Sequence, residues 1–116
     1  MEWHVVFYKN RDGEEPVKDF ILKQPDEAIG AIIHVFDLLY RFNISLGPPY
    51  VEKVGGKIWS LRIKHSSDYY RIFYFTFTGK KFILLHAIKK KRDKLTNRDL
   101  ALAVDRMNDH ESTSSA

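Results

Sequence analysis

The chain has 116 residues, no cysteine and a formal net charge of +4 at pH 7. That length suffices for one hydrophobic core, and we assign residues 1–109 to a single domain and residues 110–116 to a disordered tail. The absence of cysteine excludes disulfides, thiolate zinc sites, iron–sulfur clusters and a cysteine nucleophile. We find neither a secretion signal nor a membrane-spanning window, so we expect a cytoplasmic protein without membrane partners.

The predicted elements begin with a short strand. Trp3–Tyr8 is rich in β-branched and aromatic residues and is followed by turn-forming residues, which predicts a strand that pairs inside the sheet. Pro16 predicts the start of a short helix that ends before Pro25. From Asp26 to about Asn43, apolar residues recur at helical spacing in a wide stripe, which predicts a second helix that needs a sheet to cover.

The second half of the chain predicts an antiparallel meander and a last helix. Four apolar runs alternate with turn residues and predict strands at residues 50–54, 58–64, 69–77 and 81–88. Thr96 and Asp99 form a capping-box pattern before a final helical stripe. The order β-α-α-β-β-β-β-α predicts an α+β fold with the helix pair on one face of a twisted, mainly antiparallel sheet.

Positive charge is concentrated in the second half of the chain. Residues 57–106 carry thirteen Lys or Arg against four Asp or Glu, whereas residues 1–56 carry six against nine. A concentrated cationic surface attracts polyanions, so nucleic acid is the first partner to consider. A solvated charged face is the alternative interpretation.

Arg71 is the strongest single candidate for a functional residue. It lies in the middle of an otherwise apolar strand, where a buried charge is costly unless it is paired or faces a ligand. Its guanidinium offers a planar fork of donors that suits phosphate oxygens. The alternative is a purely structural salt bridge to Asp68 or to an acidic residue on a helix. Arg62, on the polar side of the preceding strand, is a further candidate for binding phosphate.

His86 and the basic segment that follows it are the other candidates. We place His86 on one strand face with Leu84 and Ile88, where an imidazole could act as a general acid or base or be a hydrogen-bonded core residue. His65 is a weaker candidate of the same kind. Four consecutive cations either hold the backbone of a nucleic-acid strand or form a solvated loop: Lys89, Lys90, Lys91 and Arg92.

Other kinds of catalytic site lack their motifs. The chain has no Gly-rich phosphate loop, no HExxH or GxSxG motif and no acidic cluster suited to two-metal chemistry. An enzyme of this kind acting on nucleic acid would therefore need no metal or cofactor, which favours RNA because its 2′-OH is an internal nucleophile. Attack on the adjacent phosphate needs a base, cations for the developing charge and an acid, and His, Lys and Arg can fill all three roles.

Five segments together carry a resemblance to a known family. They read PVKDF from Pro16, WSLR from Trp59, YRIFY from Tyr70, LLHAIKKK from Leu84 and AVDRM from Ala103. In order and spacing, over roughly residues 3–108, the chain resembles the phage-derived branch of the RelE/HigB toxins. The resemblance implies a compact RelE-like α+β toxin that cleaves mRNA without a metal, usually in the ribosomal A site. It also implies a cognate helix-turn-helix antitoxin as partner.

The resemblance further implies roles for individual residues. Arg71 corresponds to the strand arginine that contacts the scissile phosphate, and Lys90 to a basic residue that assists the leaving group. His86 belongs to the LLH signature of this branch, and we group it and Lys89 with the catalytic candidates. The remaining cations of this region are assigned to RNA binding: Lys57, Arg62, Lys64, His65, Lys91, Arg92 and Lys94.

The sequence departs from the RelE pattern at several positions. Ile58 and Ser60 stand where RelE has two lysines, so the proposed base is missing from its usual place. Four residues could substitute for it: Lys57, Lys64, His65 and His86. No tyrosine follows Lys91 to stack on a base, and Ala87 replaces the usual glycine.

Two other functions on the same fold stay open from the sequence. One is a ParE-like inhibitor of DNA gyrase that is not a nuclease. The other is a non-catalytic module that binds nucleic acid.

Overall fold

A computed structural model describes residues 2–90 and 96–114. The described helices and strands follow one another in the predicted order, which confirms the α+β fold class. They are β1 His4–Phe7, α1 Pro16–Leu22, α2 Asp26–Phe42, β2 Val51–Gly55, β3 Ile58–His65, β4 Asp68–Phe77, β5 Lys81–Lys90 and α3 Asn97–Ser114. The predicted strand and helix limits therefore differ from the observed ones by only a few residues, except at the end of α3.

The strands form one sheet in the order β1-β5-β4-β3-β2. Strands β2 to β5 are the predicted antiparallel meander, and β1 pairs in parallel with β5. The expectation that β1 lies inside the sheet is wrong, since β1 is an edge strand. The reason is topological: α1 and α2 carry the chain from one edge of the sheet to the other, and the meander then fills the sheet back toward β1.

One face of the sheet packs against α1 and α2. Every second residue of β4 points to this face, and Tyr70, Ile72 and Tyr74 are buried there. The helices contribute six buried side chains to the same cluster: Val17, Ile21, Ala28, Ile32, Val35 and Leu39. We call this side the helix-pair face.

The apolar stripe of α2 is wider than the surface that it buries. Ile33 and Tyr40 are 56% and 46% exposed, although both belong to the stripe. With the short 3₁₀ turn that follows it, α2 forms the segment Asp26–Ser45, which is long enough to cross a membrane and contains an 18-residue window with a mean hydropathy of 1.2. This corrects the expectation that no such window exists, although a helix packed on a sheet can have the same composition.

Helix α3 packs on the opposite face, which we call the α3 face. Ala103 and Met107 contact a cluster that includes Phe73 and Phe75. The helix continues through Ser114, so the expected disorder from residue 110 is not observed over residues 110–114, while residues 115–116 lie outside the described chain. The His110 ring meets the Phe77 ring edge-on at 4.9 Å, and this contact ties the last turns to the sheet.

A register shift in β5 decides where His86 points. Phe73 pairs with His86, but the next residue, Tyr74, pairs with Leu84, so Leu85 is an extra residue. Such a bulge shifts the alternation of side chains by one residue, so the residues beyond it point to the opposite face from the one that simple alternation predicts. Leu84 therefore packs on the helix-pair face, whereas His86 stacks on Phe73 on the α3 face. The expectation that His86 and Leu84 share a face is wrong.

Candidate functional site

On the α3 face, side chains of β3, β4 and β5 form three rows across the sheet. The strand pairing places Ser60, Phe73 and His86 in the first row, Arg62, Arg71 and Ile88 in the second, and Lys64, Tyr69 and Lys90 in the third. Helix α3 packs over the apolar part of this face. The second and third rows instead bring together four cations, and we call these four residues the basic site: Arg62, Lys64, Arg71 and Lys90.

Arg71 is a buried charge that is held from β3 and β2. The residue is only 5% exposed. Its Nη1 donates a hydrogen bond to the buried Ser60 Oγ at 3.5 Å, and its Nη2 lies 3.7 Å from Glu52 Oε2. The carboxylate beside Nη2 therefore belongs to Glu52 of β2. The alternative of a purely structural salt bridge had instead predicted Asp68 or an acidic residue on a helix. Ser60 serves here as a hydrogen-bond acceptor.

Glu52 is shared between two guanidinium groups. Arg62 lies opposite Arg71 in the register, and its Nε is 3.4 Å from the same Oε2 atom of Glu52. A guanidinium group presents a planar fork of donors of the kind that binds phosphate oxygens. Glu52 was not predicted as a site residue, because nothing local in a short strand marks one glutamate as the partner of arginines on two other strands.

His86 is held between an aromatic ring and a carboxylate. Its ring is parallel to the Phe73 ring, with centroids 5.6 Å apart and planes 10° apart. Its Nε2 lies 3.1 Å from Asp99 Oδ1, and its side chain is 15% exposed. Burial lowers the pKa of His86, and the hydrogen bond to Asp99 opposes this effect without reversing it. A neutral imidazole that donates Nε2–H to Asp99 leaves Nδ1 free to accept a proton.

Asp99 connects the start of α3 to two residues of β5. It accepts a 2.6 Å hydrogen bond from Thr96 Oγ1, and its backbone N–H donates to the same hydroxyl, which confirms that Thr96 caps α3. Its Oδ2 also lies 3.3 Å from Lys90 Nζ. Burial raises the pKa of Asp99, but hydrogen bonds from Thr96, His86 and Lys90 outweigh it and hold the pKa below its usual value.

Asp99 therefore positions His86 and Lys90 with one ionised carboxylate. From the sequence, Asp99 was predicted only as part of a helix cap. Its contacts with His86 and Lys90 depend on how α3 docks against β5. The spacing of residues along the sequence does not predict that docking. The only signal in the sequence that could have pointed to Asp99 was the capping pattern, because it places the Asp99 carboxylate in the first turn of α3.

Lys89 and Lys90 point to opposite faces of the sheet. Lys90 reaches Asp99 on the α3 face, whereas Lys89 Nζ lies 3.6 Å from Asp68 Oδ2 and 6.0 Å from the centre of the Tyr70 ring. Tyr70 belongs to the helix-pair face. The two adjacent lysines that were grouped as catalytic are thus separated by the sheet, and only Lys90 joins the basic site.

Two other predicted RNA-binding residues lie away from the basic site. His65 is 4.0 Å from Glu27 of α2, on the helix-pair side. Lys57 is 3.4 Å from Glu111 near the end of α3, whereas Asp99 is near its start. Of the four candidates for the base, the structure therefore places two, Lys64 and His86, on the same face as Arg71.

Three predicted RNA-binding residues lie outside the described residues: Lys91, Arg92 and Lys94. Their assignment stays a prediction from the sequence. Within residues 2–90 and 96–114, no three His, Asp or Glu side chains come together in a way that could hold a metal ion.

The fold and the basic site define a RelE-like α+β protein with a cationic site on one face of its sheet. A family model described as phage derived protein Gp49-like (DUF891) matches residues 19–108. The chain belongs to this Gp49-like family, which is part of the RelE/HigB-like toxin superfamily. The family is toxin-like and compatible with a toxin–antitoxin role. A search of curated proteins gives no match.

Proposed function

We propose that the protein is the toxin of a type II toxin–antitoxin pair and that it cleaves mRNA at the basic site. The observation that carries the proposal is the convergence, on one face of one sheet, of two arginines with a histidine–carboxylate pair and a lysine. These groups supply an anion site, a proton acceptor and a proton donor. Cleavage of RNA by its own 2′-OH needs these three things.

The arginines bind the scissile phosphate in this mechanism. Arg71 is buried and oriented by Ser60 and Glu52, so little reorganisation is needed when an anion arrives. Arg62 adjoins it across the strand pair. As the phosphorus becomes pentacoordinate, negative charge grows on the non-bridging oxygens. Two guanidinium groups stabilise that charge more than the ground state, which lowers the barrier.

His86 and Lys90 move the protons. The neutral imidazole of His86 takes the proton of the 2′-OH at Nδ1 while Asp99 stabilises the imidazolium that forms. The 2′ oxygen then bonds to phosphorus and the bond to the 5′ oxygen breaks. Lys90 gives a proton to the departing 5′ oxygen, so the products are a 2′,3′-cyclic phosphate and a 5′-hydroxyl. His86 replaces the lysines that are absent at Ile58 and Ser60.

The proposal includes partners and a location. The toxin family implies an antitoxin in general, and we propose a helix-turn-helix protein in that role. The exposed Ile33, Tyr40 and Ile44 support a protein partner, because contiguous exposed apolar side chains mark interaction surfaces. We further propose that the mRNA is cleaved on the ribosome, which places the protein in the cytoplasm.

A primer-extension assay on mRNA, with and without translating ribosomes, tests the proposed activity. The wild type should produce new 5′ ends, and Arg71→Gln should not. Arg41→Gln is the matched control, since Arg41 is an exposed arginine on α2 that pairs with Asp37. If the wild type arrests growth but cleaves RNA in neither condition, the nuclease proposal is wrong and a non-catalytic toxin takes its place.

A further inference from the structure

A cavity of about 210 Å³ lies on the helix-pair face, on the opposite side of the sheet from the basic site. Strand residues form its floor, and the 3₁₀ turn Asn43–Ser45 and the residue after that turn form one side of it. Trp59 and Tyr74 are direct neighbours across β3 and β4, and both line the cavity. The cavity is therefore separate from the arginines of the basic site.

The cavity lies where α2 stops covering the sheet. The helix ends at Phe42, and Asn43 takes a positive φ of 44°, which turns the chain out of the helix. After this turn Ile44 is 71% exposed, while Tyr74 and Phe82 continue the apolar surface of the sheet. The sheet thus extends past its helix, and the cavity is the space that remains over the strands.

The hydroxyl of Tyr74 is buried without a hydrogen bond to the described chain. Of the buried tyrosines, Tyr8 donates to Asp109 at 2.6 Å and Tyr70 donates to Gln24 at 3.2 Å. Within residues 2–90 and 96–114, the Tyr74 hydroxyl has no such partner, although Tyr74 is only 4% exposed and its burial raises its pKa. Buried tyrosine hydroxyls usually have a partner. Because Tyr74 lines the cavity, a partner for its hydroxyl has to enter there.

The wall of the cavity defines the class of ligand. Among the described residues that line it, most are apolar and none carries a charge. A neutral ligand is favoured, since an ion would lose its hydration there without meeting a counter-charge. An apolar cavity of roughly 150 Å³ holds benzene. The 210 Å³ beside Trp59 therefore accommodates one substituted aromatic ring or two fused rings.

We propose that this cavity binds a neutral aromatic molecule of one or two rings that accepts a hydrogen bond from the Tyr74 hydroxyl. The indole of Trp59 provides an apolar wall for the rings, and the hydrogen bond fixes their orientation. The inference does not rest on the proposed RNA cleavage, because Arg71 lies on the other face of the sheet.

Nuclear magnetic resonance of the ¹⁵N-labelled full chain tests the inference, with 1-indanone as the probe. This molecule has two fused rings, no charge and a carbonyl oxygen that can accept a hydrogen bond from Tyr74. In the wild type, titration should shift the indole N–H signal of Trp59 and the backbone amide signals of Ile44 and Leu46, and the shifts should saturate. The amide signals of α3, on the other face, should not move.

Two tyrosine variants separate the role of the Tyr74 hydroxyl from that of the ring. Tyr74→Phe should weaken binding of 1-indanone about three- to tenfold, the effect of losing one hydrogen bond. Its melting temperature should not fall, because the hydroxyl bonds to no described residue. Tyr70→Phe is the matched control, since the Tyr70 hydroxyl bonds to Gln24 outside the cavity wall. It should melt at a lower temperature and bind 1-indanone as the wild type does.

A third variant fills the cavity. Thr76 lines the cavity but is itself exposed, so a larger side chain at this position does not disturb the core. Thr76→Trp should abolish the saturable shifts of Ile44 and Leu46 while the protein keeps its wild-type melting temperature.

Several outcomes would overturn the inference. Shifts that never saturate, or that spread equally to Ile33 and Tyr40, would mean adsorption on the exposed apolar residues of α2. Equal affinity of the wild type and Tyr74→Phe, or a lower melting temperature of that variant, would assign the hydroxyl to the fold. Unchanged binding by Thr76→Trp would place the ligand elsewhere. None of these measurements uses RNA, so their failure and a failure of the nuclease proposal are distinguishable.

Discussion

The two faces of β4 carry residues of opposite character, although they alternate along one strand. Tyr70, Ile72 and Tyr74 point to the helix-pair face and are buried among apolar side chains. On the other face, Phe73 packs under α3, but Arg71 lies among Ser60, Glu52 and Arg62. The comparison shows that burial alone does not distinguish a core residue from a functional one. The distinction comes from the chemistry of the neighbouring side chains.

Removing the guanidinium of Arg71 should have the largest effect. We expect Arg71→Gln to slow RNA cleavage by about 10²- to 10³-fold, as happens when one donor to a developing oxyanion is lost. Arg71→Lys should recover only part of the rate, because an ammonium lacks the planar fork. The measurement is the single-turnover rate on a model RNA. A loss of rate that merely follows the loss of folded protein would support the structural salt bridge instead.

The neighbouring residue on the opposite face should show the reverse behaviour. Ile72 is fully buried on the helix-pair face, so Ile72→Ala should lower the free energy of unfolding by about 2–5 kcal/mol. Its cleavage rate per folded molecule should stay at the wild-type value. Urea unfolding and the same single-turnover assay provide both numbers. A specific loss of rate in Ile72→Ala would break the division between the two faces.

Replacing His86 should have an intermediate effect. We expect His86→Gln to reduce cleavage by at least about tenfold, because glutamine keeps a hydrogen bond to Asp99 but transfers no proton. The pH dependence of the rate should lose its lower limb in the variant, since that limb reports the protonation of the imidazole. An unchanged rate and profile would return His86 to a packing role against Phe73.

The same histidine should make stability depend on pH. Burial lowers the pKa of His86 and of His110, so the unfolded chain binds protons that the folded chain does not. Stability is then fully present above about pH 6.5, the unfolded pKa, and is lost as the pH falls toward each folded value. Urea unfolding between pH 5 and pH 8 should show this slope, and His86→Gln and His110→Gln should each reduce it. A slope that survives both substitutions would contradict the assignment.

Lys57→Ala should have the smallest effect. Lys57 is mostly exposed and pairs with Glu111 at 3.4 Å, and such surface pairs contribute less than about 1 kcal/mol. We expect RNA cleavage to change less than about twofold, because Lys57 lies away from the basic site. A loss as large as that of Arg71→Gln would restore Lys57 as a catalytic residue and extend the functional surface along the whole α3 face.

The sequence predicted the elements well and the contacts between them poorly. The fold class, the meander and the helix cap at Thr96 follow from periodicity and turn residues, which are local. The face shared by His86 was predicted wrongly, because one extra residue at Leu85 reverses the alternation beyond it. The end of α3 was missed as well, since composition favours disorder there while His110 packs against Phe77.

By itself, the sequence determined the kind of site that this protein could have. A lone arginine in the apolar strand β4, a histidine in β5 and a cationic stretch after it already indicated an anion site on a sheet. Only the tertiary structure decided which of these residues meet. Glu52 joins the site through strand register, and Asp99 joins it through the docking of α3. Those contacts depend on distances between chain segments that no local pattern encodes.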